Sequence, residues 1–422
     1  MWNNALSEAL GEPAISEKSR NTLRKQTIDE EQPGTILRDF TTVLDFIGEE
    51  GLKTTGKYYT LPQGRLSELN ERMSHPVKHQ LKRPQQRSFP HLHGLFLILR
   101  ASGMGITKGA PPNGRLMIDE EMVASWLDLN PTERYFTLLE SWLVQGCAEI
   151  LGEDGGWYSN LTNQLIQLWQ RLEKRRTVVP DEQYTVLSGT LRLTTAALMD
   201  LFGWIQLEYH DPKEREGVKP AAVERLPLGD AMTEVIARWM LSESHYDERN
   251  AAKIGTLQPL FQPHFPEWKR NLVPPEEPFR EGDHSWRVSI GKPWRRIVAP
   301  AGATLDDLAM AILDAFDFDD DHLYCFELPD RRGRSLRIAC PYEEDASAFT
   351  EEVRIGDVPL PVGGTMTFVF DYGDDWQFDV KFESVDSKKS RCKKPKVIAK
   401  GGKAPAQYHW DDEDDWDEWD EE

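Results

Sequence analysis

The stretch Thr365-Met-Thr-Phe-Val-Phe-Asp-Tyr-Gly-Asp-Asp-Trp-Gln-Phe-Asp-Val-Lys-Phe382 constrains the fold more than any other part of the sequence. Apolar residues alternate at Met366, Phe368, Phe370 and Tyr372, and again at Trp376, Phe378, Val380 and Phe382. A period of two belongs to half-buried strands. A two-residue loop would set Phe370 opposite Gln377 and split the apolar faces. A three-residue loop, Gly373-Asp374-Asp375, pairs Tyr372 with Trp376, Phe370 with Phe378 and Phe368 with Val380, and keeps one apolar face. The sequence therefore predicts a hairpin in that register. Asp374 and Asp375 lie at its turn, and Asp371, Gln377 and Asp379 on its outer face.

The chain around this hairpin has 422 residues, enough for two to three domains at roughly 150 residues each. With 39% hydrophobic and 29% charged residues, its bulk reads as globular and soluble. No apolar run approaches the roughly 20 residues of a membrane helix, and the expected location is the cytoplasm. Cys147, Cys325, Cys340 and Cys392 form no Cys-x-x-Cys pair, which argues against a zinc knuckle and a disulfide framework. The net charge of −21 is unevenly spread. Ten of the last twelve residues are acidic, whereas residues 73–100 hold Lys78, Lys82, Arg83, Arg87 and Arg100 with no acid, and residues 388–403 hold eight Lys/Arg with none. Such segregated cations are candidate phosphate-facing patches.

In chain order, residues 1–34 read as a polar tail. Residues 35–150 read as a helical, winged-helix-like module. It comprises a helix from Ile36, a local hairpin within Leu52–Leu61, a helix after Leu61-Pro-Gln-Gly64, an apolar helix behind Pro90, a turn at Ala110–Gly114 and two further helices. Residues 151–259 read as a second such module: a helix over Ala196–Phe202, strands over Trp204–Tyr209 and Val218–Leu226 around a polar turn, and a helix from Gly229. Leu226-Pro-Leu-Gly229 echoes Leu61-Pro-Gln-Gly64. Residues 260–280, with five prolines, read as a linker. In residues 281–408 an α+β domain with an antiparallel sheet is expected: strands at Trp286–Ile290 and Arg295–Val298, a helix capped by Thr304, strands at Leu323–Leu328 and Ser335–Ala339, then the hairpin. Residues 409–422 form an acidic tail carrying Trp416 and Trp419. The fold class is thus multidomain, mainly α at first and α+β at the end.

Four motifs in order, Trp294-Arg-Arg-Ile-Val-Ala-Pro, Thr304-Leu-Asp-Asp-Leu, Phe316-Asp-Phe-Asp-Asp-Asp-His-Leu-Tyr-Cys-Phe326 and Asp371-Tyr-Gly-Asp-Asp-Trp376, resemble the Ri-plasmid ORF-three-like family over residues 284–408. The resemblance implies a small α+β domain of plasmid- and transposon-associated bacterial proteins, in a family whose biochemical activity is not established. Gly401-Gly-Lys-Ala-Pro-Ala-Gln-Tyr408 stands where many members carry Pro-Pro-Glu-Asp, so no terminal carboxylate is carried over.

The resulting expectation is a non-catalytic nucleic-acid-associated or adaptor protein linked to a plasmid or mobile element, with DNA or RNA as partner. Its phosphate-facing residues would be Lys78, Lys82, Arg83, Arg87, Lys388, Lys389, Arg391, Lys393, Lys394 and Lys396. Trp416 and Trp419, at i, i+3 within the acidic tail, read as a docking motif for a basic partner, which makes a protein-interaction scaffold one alternative. The other is a metal-dependent nuclease: His322, Asp371, Asp374 and Asp375 are the residue types that hold a divalent cation. Against it, carboxylates in turns are usually turn formers and a strand-start histidine is usually structural. No nucleophile elbow, phosphate-cradling glycine loop or His-Glu-x-x-His occurs. No cofactor is expected on the leading reading, and no membrane.

Overall fold

The computed structural model describes residues 15–407, except 55, 57, 110–113, 154–159, 175, 180–186, 188, 242–252, 274–278, 331–334, 344–345, 347 and 388–391. Two compact units divide the chain, one ending at Pro275 and the other starting at Glu276. Together they form an α+β multidomain protein with antiparallel sheets. Among the described residues no helix is long and apolar enough to cross a membrane.

The N-terminal unit runs α1 (Glu17–Arg24), α2 (Ile36–Ile47), β1 (Leu52–Lys53), α3 (Leu66–Arg72), α4 (Pro90–Ala101), β2 (Gly105–Lys108), β3 (Arg115–Ile118), α5 (Glu120–Leu127), α6 (Pro131–Leu143), α7 (Leu161–Arg171), β4 (Thr177–Val178), α8 (Thr190–Leu201), β5 (Ile205–Tyr209), β6 (Pro220–Arg225), α9 (Pro227–Leu241) and α10 (Gln258–Phe261). Its strands form two three-stranded sheets, β1-β3-β2 and β4-β6-β5. The second follows the expected helix, hairpin, helix order. The first does not: β1 pairs with β3, Leu52 opposite Leu116, and β3 pairs also with β2, while residues 110–113 of the expected turn lie outside the described residues. Gly51 permits this long-range pairing, because a Cβ there would lie 2.5 Å from the Leu116 carbonyl oxygen.

One hydrophobic core joins the two segments expected to be separate modules. Phe40, Trp126, Phe136 and Trp142 from the first and Leu198, Phe202 and Trp204 from the second belong to the same buried cluster. Trp142 stacks on Phe202 at 5.6 Å. The Tyr135 hydroxyl donates to the Phe202 carbonyl at 3.0 Å and accepts from Trp204 Nε1 at 2.9 Å. Gly203 completes the join. At φ +73 it takes the left-handed region, and a Cβ there would lie 2.3 Å from the Pro33 carbonyl oxygen. Part of the expected polar tail is docked as well, since Ser16 and Ser19 at the start of α1 donate to Glu234 on α9 and Leu23 is buried.

The proline-rich stretch is part of this core as far as Leu272. Phe261, Phe265, Trp268 and Leu272 are buried, with Trp268 stacked on Phe136 at 4.1 Å. Two buried carboxylates of α6 hold the stretch down. Glu140 accepts from Gly255 N and Leu257 N, both at 2.6 Å. Glu133 accepts from Lys269 N at 3.1 Å and Arg270 N at 2.7 Å while completing the Asn130 capping box. Pro263 and Pro266 lie within this docked segment, whereas Pro274, Pro275 and Pro278 lie outside the described residues, where the two units divide.

The C-terminal unit contains β7 (Asp283–Ser289), β8 (Trp294–Pro300), α11 (Leu305–Phe316), β9 (Tyr324–Pro329), β10 (Ser335–Ala339), β11 (Thr365–Phe370), β12 (Trp376–Asp386) and β13 (Lys396–Gly401). They make a seven-stranded antiparallel sheet in the order β10-β9-β11-β12-β7-β8-β13. Trp286, Ile297, Phe326, Phe368, Phe378 and Phe382 point to one face, where Leu305, Leu308, Ile312 and Phe316 of α11 cover them. The helix starts at a Thr304/Asp307 capping box. At its end Arg295 reaches from the sheet and donates through Nε to the Ala315 carbonyl at 2.6 Å.

The hairpin keeps its predicted faces but not its predicted register. Phe370 pairs with Trp376, Phe368 with Phe378 and Met366 with Val380, a shift of two residues that preserves the alternation. The loop is therefore Asp371 to Asp375, and Tyr372 leaves the core. The cause lies in Asp371 and Asp375, which both take the left-handed region at φ 54 and φ 52. Asp371 Oδ1 accepts from Gly373 N at 2.9 Å, and Asp375 N donates to the Asp371 carbonyl at 2.7 Å. This Asx turn closes a wider loop than the count of apolar residues suggested.

Candidate functional site at the hairpin tip

The tip of β11 and β12 lies beside the residues preceding β9, joined by the Asp371 N bond to the Leu323 carbonyl at 3.0 Å. This places His322 next to the loop. Its Nε2 is 3.5 Å from Asp371 Oδ2 and 3.7 Å from Asp321 Oδ1, and its ring meets Phe370 edge-on at 6.0 Å. Asp371 is the more enclosed partner, 15% exposed against 40% for His322. Of the four residues singled out for a metal, His322 and Asp371 meet. Asp374 is exposed and forms the turn, and Asp375 Oδ2 accepts from Gln377 Nε2 at 2.8 Å. Among the described residues no group of three or more His, Cys, Asp and Glu side chains is placed to hold a metal ion. The contact can help fix the loop, and one oxygen of Asp371 is already committed to backbone amides.

A second polar cluster near the loop was not legible in the sequence. Arg337 pairs with Glu343 through two contacts, one of them at 2.9 Å. The Tyr372 hydroxyl donates to Glu343 Oε2 at 3.0 Å, with Arg337 lying 5.1 Å from the Tyr372 ring centre. Arg337 holds the Glu343 carboxyl below its ordinary range, and burial pushes the Tyr372 phenol and the Cys325 thiol up. Cys325 sits with Ala339 and Val369 in a small apolar cluster on the sheet face opposite α11. The signal available in the sequence was Tyr372 itself, an aromatic that the Asx turn leaves without a strand partner.

The other motif residues are structural in visible ways. Asp306 accepts from the Tyr324 hydroxyl at 2.5 Å and from Thr350 Oγ1 at 2.9 Å, and burial raises the Tyr324 phenol further. Asp317 ends α11 in the left-handed region.

The expected phosphate-facing residues fall on separate units. On the N-terminal unit Lys78, Lys82, Arg83 and Arg87 are exposed; Lys78 bonds Asp211 at 2.8 Å, and the other three have no ion pair among the described residues. On the C-terminal unit Lys393, Lys394 and Lys396 are exposed and likewise unpaired among the described residues. Lys388, Lys389, Arg391, Trp416 and Trp419 lie outside the described residues.

No curated protein matches the chain. A solved protein of unknown function from Methanosarcina mazei Go1 is 25% identical over 30% of this chain and 72% of its own, with a TM-score of 0.27. The family model described as plasmid pRiA4b ORF-3-like protein matches residues 289–415, the C-terminal part of the chain.

Proposed function

We propose that the chain is a non-catalytic, nucleic-acid-associated adaptor of a plasmid- or mobile-element-linked bacterial system, acting in the cytoplasm. The observation that carries this reading is charge segregation. In a chain of net charge −21, Lys82, Arg83, Arg87, Lys393, Lys394 and Lys396 are exposed without ion pairs among the described residues. Exposed cations outside ion pairs suit a polyphosphate backbone. The helix-hairpin-helix order around the β4-β6-β5 sheet supports a winged-helix-like module there, and the match of the C-terminal part to a plasmid-related family supports the setting. The tail 411–422 is then an acidic competitor for the same cations. Electrophoretic shift assays with duplex DNA and RNA across a salt series test the reading. Binding that weakens with salt, and strengthens at low salt on deletion of 411–422, is the expected result. No binding in either form would overturn the assignment, and binding indifferent to the deletion would overturn the competition.

A second reading rests on the His322–Asp371 contact of 3.5 Å. In a metal-dependent nuclease these two would supply the protein ligands and the metal a polarised water. Manganese and magnesium titration with a nuclease assay on wild type and Asp371→Asn separates the two readings; metal-dependent cleavage lost in the variant supports this one.

A further inference from the structure

The sheet of the C-terminal unit has one face packed on α11, and over β12, β7 and β8 no described element of that unit covers the other. Across these strands the register aligns three cations side by side. Lys381 is the cross-strand partner of Arg287, and Arg287 of Arg296. Like charges directly opposite on neighbouring strands destabilise a sheet. Only one of the three is neutralised: Arg296 holds Glu383 through two hydrogen bonds of 2.6 and 3.1 Å. Among the described residues Arg287 and Lys381 have no ion pair.

Beside this row lies Trp294, half-buried on the same face. Its ring packs over Gly401 of the edge strand, where a Cβ would lie 2.5 Å from Trp294 Nε1, and Arg287 stands 4.3 Å from its ring centre. The glycine thus lets the indole lie against the sheet, and the indole holds the Arg287 guanidinium in place. Asp379 is exposed one step along the same face and pairs in register with Ser289, not with a cation.

We propose that this face is a binding surface for single-stranded nucleic acid, with Arg287 and Lys381 taking successive phosphates and Trp294 holding Arg287 against the sheet for that contact. The inference rests on the nucleic-acid reading above and adds a surface and a substrate form to it. An open sheet with a row of cations and an aromatic side chain follows the sequence-tolerant logic of single-strand binding. It presents no helix to a groove, which disfavours duplex.

Fluorescence anisotropy with labelled single strands of about 12 nucleotides tests it, using the full chain and the chain lacking 411–422. The double variant Arg287→Gln/Lys381→Gln is expected to weaken single-strand binding about tenfold at low salt and to flatten the salt dependence by about one to two units of slope. Binding should also quench indole emission, and less so in Trp294→Leu. Thermal unfolding of each variant monitors the fold; a charge-only pair of glutamines leaves the Gly401 contact untouched. If the double variant binds like wild type while Lys393→Gln/Lys394→Gln/Lys396→Gln does not, nucleic-acid association stands and this surface is wrong. If neither form of the wild type binds single or double strands, both proposals fall.

Discussion

Asp371→Ala, Asp371→Gly and Asp371→Asn should separate in a fixed order, because the residue does two distinguishable things in the hairpin loop. Its backbone sits at φ 54, a region that costs an ordinary side chain about 1–2 kcal/mol and that glycine, asparagine and aspartate tolerate better. Its Oδ1 accepts the Gly373 amide at 2.9 Å, a bond worth about 1 kcal/mol. Alanine loses both contributions, so the expected loss is about 2–3 kcal/mol. Glycine loses only the bond and gains unfolded-state freedom, for a loss of about 1–2 kcal/mol. Asparagine keeps the acceptor and the conformation and should stay within about 0.5 kcal/mol of wild type. Hydrogen exchange of amides in β11 and β12, read by mass spectrometry, reports the hairpin's own opening free energy without requiring the two units to unfold together. Protection ordered wild type, Asn, Gly, Ala is the expected outcome. Asparagine as damaging as alanine would refute the turn argument, since it would mean that the negative charge, and hence the contact with His322, holds the loop.

Three further outcomes follow from other buried details. Burial pushes the Glu140 carboxyl up to about 7 against the two amides that bond it. An acid whose pKa is raised on folding binds its proton more tightly in the folded state, so this group makes stability fall as pH rises from about 4.5 to about 7, by up to about 3 kcal/mol. Urea midpoints measured over that window should therefore drop more steeply in wild type than in Glu140→Gln; Asp200, raised to about 6 by burial, acts in the same sense in both. Gly203→Ala places a Cβ 2.3 Å from the Pro33 carbonyl oxygen at a left-handed backbone position and should cost at least about 2 kcal/mol, seen as a lowered unfolding midpoint or loss of soluble protein. Tyr324→Phe removes the hydroxyl that donates to Asp306 at 2.5 Å and should cost about 1–2 kcal/mol, measured as slower refolding or lower thermal midpoint of the C-terminal unit.

The parts of the fold that the sequence made legible are those set by local pattern. Alternation fixed which residues of β11 and β12 face α11, and the Thr304 capping hydroxyl fixed where that helix begins. The strand Ser335–Ala339 was read at its observed bounds. What local pattern missed was set by partners distant in the chain. β1 looked like half of a local hairpin, yet its partner lies some sixty residues on at Arg115–Leu116, and nothing in Leu52–Leu61 encodes that choice. Prolines suggested a linker from residue 260 on, but Phe261, Phe265, Trp268 and Leu272 recur at steps of three and four, the mark of a docked face, and over that part the signal outweighs Pro263 and Pro266. The single core beneath both helical segments was invisible for the same reason: it is made by Trp142, Phe202 and Trp204 meeting across the expected boundary.

The candidate site was legible in its residue types and not in its geometry. His322 and Asp371 do meet, because the Asp371 amide bonds the Leu323 carbonyl and carries the loop onto the residue next to the histidine. The same loop geometry that creates the contact also limits it. A left-handed Asp371 must turn one carboxylate oxygen onto the Gly373 amide to hold the turn, leaving a single oxygen for His322, while Asp375 is diverted to Gln377. The wider loop likewise removes Tyr372 from the core and gives it to the Arg337–Glu343 pair. An acidic run at a hairpin tip is therefore ambiguous in sequence for a physical reason. Carboxylates serve turns by bonding backbone amides and serve metals by leaving those same oxygens free, and only the loop length, set here by two left-handed aspartates, decides how many remain.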